Sequence, residues 1–121
     1  MRQGLLPATA LLAACGGPPD TTPQLQSADP DRGRQLVVAH GCAACHSFPD
    51  IGFPRGGLGP ALDGFADQGL IAGRLPNQPG YLMRYIRNAP AYTPQSAMPA
   101  VPMSDQDARD VTAYLLTLQS R

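Results

Sequence analysis

Gly41-Cys42-Ala43-Ala44-Cys45-His46 is the stretch on which the reading of this chain turns. It reads C-x-x-C-H, the spacing that attaches a haem covalently. Two thiols three positions apart reach the two vinyl groups on one edge of a porphyrin. The histidine directly after them falls under the iron and supplies its proximal nitrogen. Rival uses of the spacing fit less well. A zinc site wants four ligands, usually as two separated pairs, whereas His40, Cys42, Cys45 and His46 are crowded together and no second pair follows. A redox dithiol wants a neighbouring βαβ pattern, and no convincing strand pattern is present. The expected cofactor is one haem c, joined through Cys42 and Cys45.

Composition agrees with a small haem domain. The chain has 121 residues and a formal net charge of 0, with nine basic and nine acidic residues. Nucleic acid as a partner would want a basic excess. With 13 Gly and 14 Pro and no Trp, much of the chain is turn and loop. So small and loop-rich a chain buries little core alone, and a bound porphyrin would supply an apolar centre whose binding energy adds to folding.

Upstream of the motif the chain reads as an address and a tether. Arg2 precedes a short apolar run containing Leu5, Leu6, Leu11 and Leu12. The run is too short to span a bilayer and fits an export signal over residues 1–14. It ends in Leu12-Ala13-Ala14-Cys15-Gly16, which resembles the lipobox of bacterial lipoproteins. That resemblance implies cleavage before Cys15 and lipidation of its thiol, with enough buried methylenes for stable anchoring. Residues 15–28 then form the lipidated Cys and a linker poor in apolar pattern.

Residues 29–121 read as the folded domain. Asp29-Pro30 opens a first helix as cap and first-turn proline. It runs to about His40, with Leu36, Val37 and His40 on its inner side, and Gly41 ends it. Gly33 within it permits close approach by another helix. Phe48 to Gly59 is a Gly/Pro loop. A second helix follows Asn77-Gln78-Pro79-Gly80 and places Leu82, Tyr85 and Ile86 on one side. Arg84 and Arg87 share its other side, as solvated surface or as a docking patch. Ala89 to Pro102 is expected to be extended, without helix or strand. Ser104 and Asp107 form a near capping box, and Val111, Tyr114, Leu115 and Leu118 follow at helical spacing.

The ordered set Gly33-Arg34-Gln35-Leu36, the C-x-x-C-H motif, Gly59-Pro60-Ala61-Leu62-Asp63-Gly64, Met98-Pro99 and Ser104 to Leu115 resembles class I cytochrome c. It is similar as well to the cytochrome c domain of bacterial haem-copper oxidase subunit II, a likeness that Ile71-Ala72-Gly73-Arg74-Leu75-Pro76-Asn77 strengthens. The resemblance implies an all-α fold, three to four helices with long loops wrapped around one covalent haem. It implies that the Pro60 carbonyl accepts a hydrogen bond from the proximal His46 and that Leu62 lies on the haem face. The last helix would cross the first near Gly33, with Tyr114 against it. The family often has Trp at the position of Tyr85, whose hydroxyl would bond a haem propionate or reach solvent. Met98 would be the axial sulfur ligand opposite His46, making His46 and Met98 the metal ligands. Met103 would be core, and Met83 packing within its helix.

The function so implied is electron transfer, not enzyme catalysis. The chain would be a monomeric carrier anchored by lipid at the periplasmic side of the cytoplasmic membrane. It would dock transiently with redox donors and acceptors of a respiratory chain, such as a dehydrogenase or quinol-oxidising complex and a terminal oxidase. Two readings from other classes stand beside it. One is a haem enzyme or gas-binding sensor with a labile distal ligand. The other is an assembly subunit in which the haem is mainly structural.

Overall fold

In a computed structural model the described residues are 24–121 and the isolated Gly4. The lipobox and Cys15 lie outside them, as does most of the expected linker. Among these residues, four helices and one short antiparallel ribbon make up the regular structure: α1 (Pro30–Ala39), β1 (Leu70–Ile71), β2 (Leu75–Pro76), α2 (Pro79–Arg87), α3 (Ala89–Tyr92) and α4 (Asp105–Leu115). Single tight turns of helix at Cys42–Ala44 and Phe65–Asp67 punctuate the loops. No described helix is long and apolar enough to cross a membrane.

Helix α1 starts where its sequence says it should. The Asp29 carboxylate accepts from the amides of Asp31 and Arg32, both at 3.0 Å, satisfying two donors that the helix itself cannot. Its end differs slightly from the expectation. Ala39 is the last helical residue, and His40 is the C-cap, exposed where it lines the edge of a cavity. Gly41, at φ 74°, takes the left-handed turn that stops the helix and throws the chain straight into the Cys42–Ala44 turn.

Helix α4 begins with Ser104, whose hydroxyl accepts from the Asp107 amide at 3.0 Å. The reciprocal arm of a capping box is missing. The Asp107 carboxylate turns away and accepts from Arg32 Nη2 at 2.6 Å, because a guanidinium of α1 stands within reach.

The crossing of α1 and α4 is the frame of the domain. Gly33 lies against the α4 backbone: a Cβ there would be 2.5 Å from the Asp110 carbonyl carbon and 3.0 Å from Tyr114 Cβ. Only a residue without a side chain lets the backbones meet so closely. Val37, 1% exposed, sits in the core one helical turn further on, a burial worth about 1.5–3 kcal/mol. The crossing also contains a buried charge. Asp110, 1% exposed, accepts from the Asp29 amide at 2.9 Å, Arg32 Nη1 at 2.5 Å and Gln106 Nε2 at 2.8 Å. Burial pushes its carboxyl up, but these donors together hold it below the usual carboxylate range.

A second polar tie fixes the loop that leaves the haem-attachment turn. The Tyr114 hydroxyl donates to Asp50 Oδ1 at 2.6 Å, and Arg34 Nε donates to Asp50 Oδ2 at 2.9 Å. Phe48, 2% exposed, stacks on the Tyr114 ring. Burial, and then the bond to Asp50, push the Tyr114 phenol well above its ordinary value.

Two elements depart from the expected pattern. The chain 70–76 folds back as a ribbon, with Leu70 opposite Pro76 and Ile71 opposite Leu75, its turn made by Ala72 and Gly73 in the left-handed region. The stretch after Asn88, expected to be extended throughout, opens with the single turn of α3, with Pro90 in its first turn. Upstream of α1, residues 24–28 lie against the domain: Gln24 is near Gly80, and the Ser27 carbonyl accepts from Gln106.

Candidate functional site

Every residue singled out for the cofactor, Cys15 aside, faces one cavity of about 590 Å³. Its size falls within the roughly 300–1,000 Å³ of cofactor pockets. Cys42, Cys45, His46, Pro60, Leu62, Tyr85 and Met98 all line it. Ile71 of the ribbon and Leu82, Ile86 and Leu115 of the helices supply apolar wall. The ribbon, invisible as a strand in the sequence, thus closes part of the cavity.

The thiols are half-buried and free. Gly41 and the tight turn after it set their spacing. The His46 amide bonds back to the Cys42 carbonyl at 2.9 Å and the Cys45 amide to the same carbonyl at 3.2 Å. Burial raises the Cys42 thiol pKa, with the neighbouring Cys45 adding to the effect.

The loop 56–60 straps this turn. Gly56 N donates to Ala43 O at 2.9 Å and Gly59 N to Cys45 O at 2.8 Å. A Cβ on Gly59 would lie 2.5 Å from His46 Cε1 and 2.8 Å from Nδ1, so the imidazole has a backbone wall on one side. His46 Nδ1 is 2.7 Å from the Pro60 carbonyl oxygen. A carbonyl only accepts, so Nδ1 carries the proton and donates. That fixes the tautomer and leaves Nε2 with its lone pair for a metal.

Of the two methionines flanking the last loop, both are half-buried against the core, but Met98 lines the cavity and Met103 does not. The Met98 amide donates to Ser96 Oγ at 3.2 Å, which steadies the loop that presents the thioether. Leu62 is half-buried on the cavity wall. Tyr85, 7% exposed, reaches the cavity too. Its hydroxyl lies 3.2 Å from Thr93 Oγ1, a neighbour that sequence reasoning did not pair with it.

The residues present fit a covalent porphyrin. Two unpaired thiols, an imidazole with its outer nitrogen already committed, and a neutral soft sulfur share one apolar slot. Among the described residues there is no cluster of three or more His, Cys, Asp or Glu side chains suited to a bare metal ion.

The surface holds less pattern. Arg87 pairs with Asp105 at 2.5 Å, and the Arg84 guanidinium lies 4.8 Å from the centre of the Tyr81 ring. One of the two arginines is thereby paired within the domain. Among the described residues, Phe53 and Leu58 are the most exposed large apolar side chains, at 88% and 76%.

Comparison with known proteins agrees with this geometry. The family model described as cytochrome c matches residues 30–119. Cytochrome c oxidase subunit 2 of Alkalihalophilus pseudofirmus is 33% identical over 90 residues, covering 74% of this chain. The chain spans about a quarter of that relative, 25% of its length. Two solved structures share the fold. SoxXA from P. pantotrophus superposes with a TM-score of 0.61 at 24% identity, covering 77% of this chain and 83% of the other. Cytochrome c2 from Rhodobacter sphaeroides gives 0.57 at 18% identity, covering 78% and 99%.

Proposed function

Because this chain belongs to the cytochrome c family, we propose that it carries single electrons at the outer face of the cytoplasmic membrane, between a respiratory dehydrogenase or quinol-oxidising complex and a terminal oxidase. It is a haem electron-transfer protein with haem c bound covalently. When bound, haem c supplies a reversible one-electron couple. The polypeptide does the rest. Cys42 and Cys45 hold the porphyrin edge. His46 offers Nε2 to the metal, and the Pro60 carbonyl keeps the ring from turning. Met98 would offer the metal a neutral sulfur, and Leu62 and Tyr85, on the same cavity wall, would exclude water.

The observation that carries this reading is the meeting of Cys42, Cys45, His46 and Met98 on one cavity. A thioether and an imidazole as the two ligands would favour the reduced metal and raise the potential. Low-polarity walls act in the same direction, since the reduced core carries one positive charge fewer. Similarity to a stretch of an oxidase subunit 2 supports an oxidase as the acceptor. Lipidation of Cys15 would keep the domain, a monomer docking briefly with each partner, at the periplasmic side of the membrane.

One spectrum of the purified holoprotein tests the ligand set. The oxidised form should show the sulfur-to-iron charge-transfer band, and the reduced form should resist carbon monoxide. Prompt carbon monoxide binding by the native protein would instead mean an open distal position and a gas-binding or catalytic role.

A further inference from the structure

The Tyr85 hydroxyl is buried at the cavity and has one hydrogen to place. Its neighbour Thr93 Oγ1 lies 3.2 Å away, and Thr93 Oγ1 is itself 3.1 Å from the Ala89 carbonyl oxygen. A hydroxyl has a single hydrogen, and a carbonyl accepts only. Both bonds therefore exist together in one arrangement alone: Tyr85 donates to Thr93, and Thr93 donates to Ala89. The reverse arrangement makes one bond and leaves the phenol hydrogen without its Thr93 acceptor. Leaving a buried donor unpaired costs about 1–3 kcal/mol.

Thr93 is well held for this task. Its amide donates to the Ala89 carbonyl at 2.9 Å, closing the single turn of α3. That backbone bond fixes Oγ1 beside α2, whichever proton Oγ1 carries. The Tyr92 ring, centred 6.2 Å from that of Tyr85, limits the phenol on another side.

We propose that Thr93 sets the polarity of Tyr85: it takes the phenol proton, so that Tyr85 presents oxygen lone pairs, and no donor, to the haem cavity. Thr93 is thus a positioning residue that acts through Tyr85. The inference rests on the His46–Met98 ligation above. Its consequence is electrostatic. The negative end of an oriented hydroxyl dipole, in a low-dielectric cavity, favours the more positive state of the metal centre and holds the potential down. It also leaves Tyr85, the one tyrosine among the described residues on the cavity wall, with no hydrogen to offer a sulfur there.

The test is a potentiometric titration of holoprotein variants, with the sulfur-to-iron band recorded for each. Thr93→Val removes the acceptor at nearly constant shape and frees the phenol proton to turn inward. The redox equilibrium constant should shift toward reduction by about two- to tenfold, at most about 59 mV for one electron. Thr93→Ser keeps the hydroxyl and should restore the wild-type potential. Tyr85→Phe should raise the potential, and Thr93→Val should add nothing further in that background. An unchanged potential in Thr93→Val, or a fall in Tyr85→Phe, overturns the proposal, since a fall means that Tyr85 was already donating into the cavity. The band separates this from the ligation reading: its absence from the wild type sinks the ligation, whereas its presence with an unmoved potential sinks only the role of Thr93.

Discussion

Gly33 of α1 and Asp110 of α4 touch backbone to backbone, with no room for a methyl group between them. Gly33→Ala should therefore destabilise the domain although alanine is the better helix former. The propensity gain is about 1 kcal/mol. Overpacking against a main chain that cannot step aside costs about 3 kcal/mol, and the clash wins. Urea denaturation should show a net loss of about 2 kcal/mol or more; an unchanged or higher midpoint would mean that the helices can part.

Asp110 beneath that contact makes stability depend on acid. Its native pKa is lowered, so its contribution is complete above the unfolded carboxylate value of about 3.9 and fades as pH falls through the lower native value. Asp110→Asn should cost about 2 kcal/mol near pH 7, less than the 3–5 of a fully buried pair because Arg32 is half exposed. The gap between wild type and variant should close as melts are repeated from pH 5 downward. A gap of constant size across that range would show that the charge is not what the site requires.

Gly59 backs the His46 ring, less tightly than Gly33 backs α4 but with no room for a methyl group. Gly59→Ala should displace the imidazole, lower the thermal stability of the holoprotein by about 1–3 kcal/mol and perturb the absorption spectrum. An unperturbed spectrum with a lower melting temperature would confine the glycine's role to packing.

Met98→Ala should abolish the sulfur-to-iron band and lower the potential. Met103→Ala should keep both and lose about 1–2 kcal/mol of stability, as a half-buried core truncation does. If the two variants exchange these phenotypes, the cavity-lining methionine is not the ligand.

Cys15→Ser should move the protein from the membrane to the soluble periplasmic fraction on cell fractionation. Unchanged membrane association would point to an anchor other than lipid on that thiol.

Much of this domain is legible in its residues. Asp29-Pro30 caps α1 as expected, Ser104 starts α4, Gly33 marks their crossing, and the imidazole of the C-x-x-C-H motif finds the Pro60 carbonyl. These features depend on local chemistry or on a fixed spacing. What escaped depends on distant partners. The ribbon at 70–76 is two residues deep on each side, too short for any alternation to show. The turn of α3 is masked by the prolines around it. Asp110 reads as one more polar residue on a helix until the Asp29 amide and Arg32, roughly 80 positions earlier, are brought against it. The Tyr85 partner was missed for a similar reason, since nothing in the sequence joins an α2 phenol to a threonine beyond the next turn.

The meeting of α1 with α4 has a consequence for biogenesis. Closing a loop of about 70 residues costs roughly 4 kcal/mol in chain entropy before any contact offsets it, and contacts this remote in sequence slow folding. A nascent chain emerging in order has Cys42, Cys45 and His46 available well before the stretch after Ser104 arrives to clamp α1. The thiols therefore pass through a period of free access, between emergence and closure, in which an assembly enzyme can reach them.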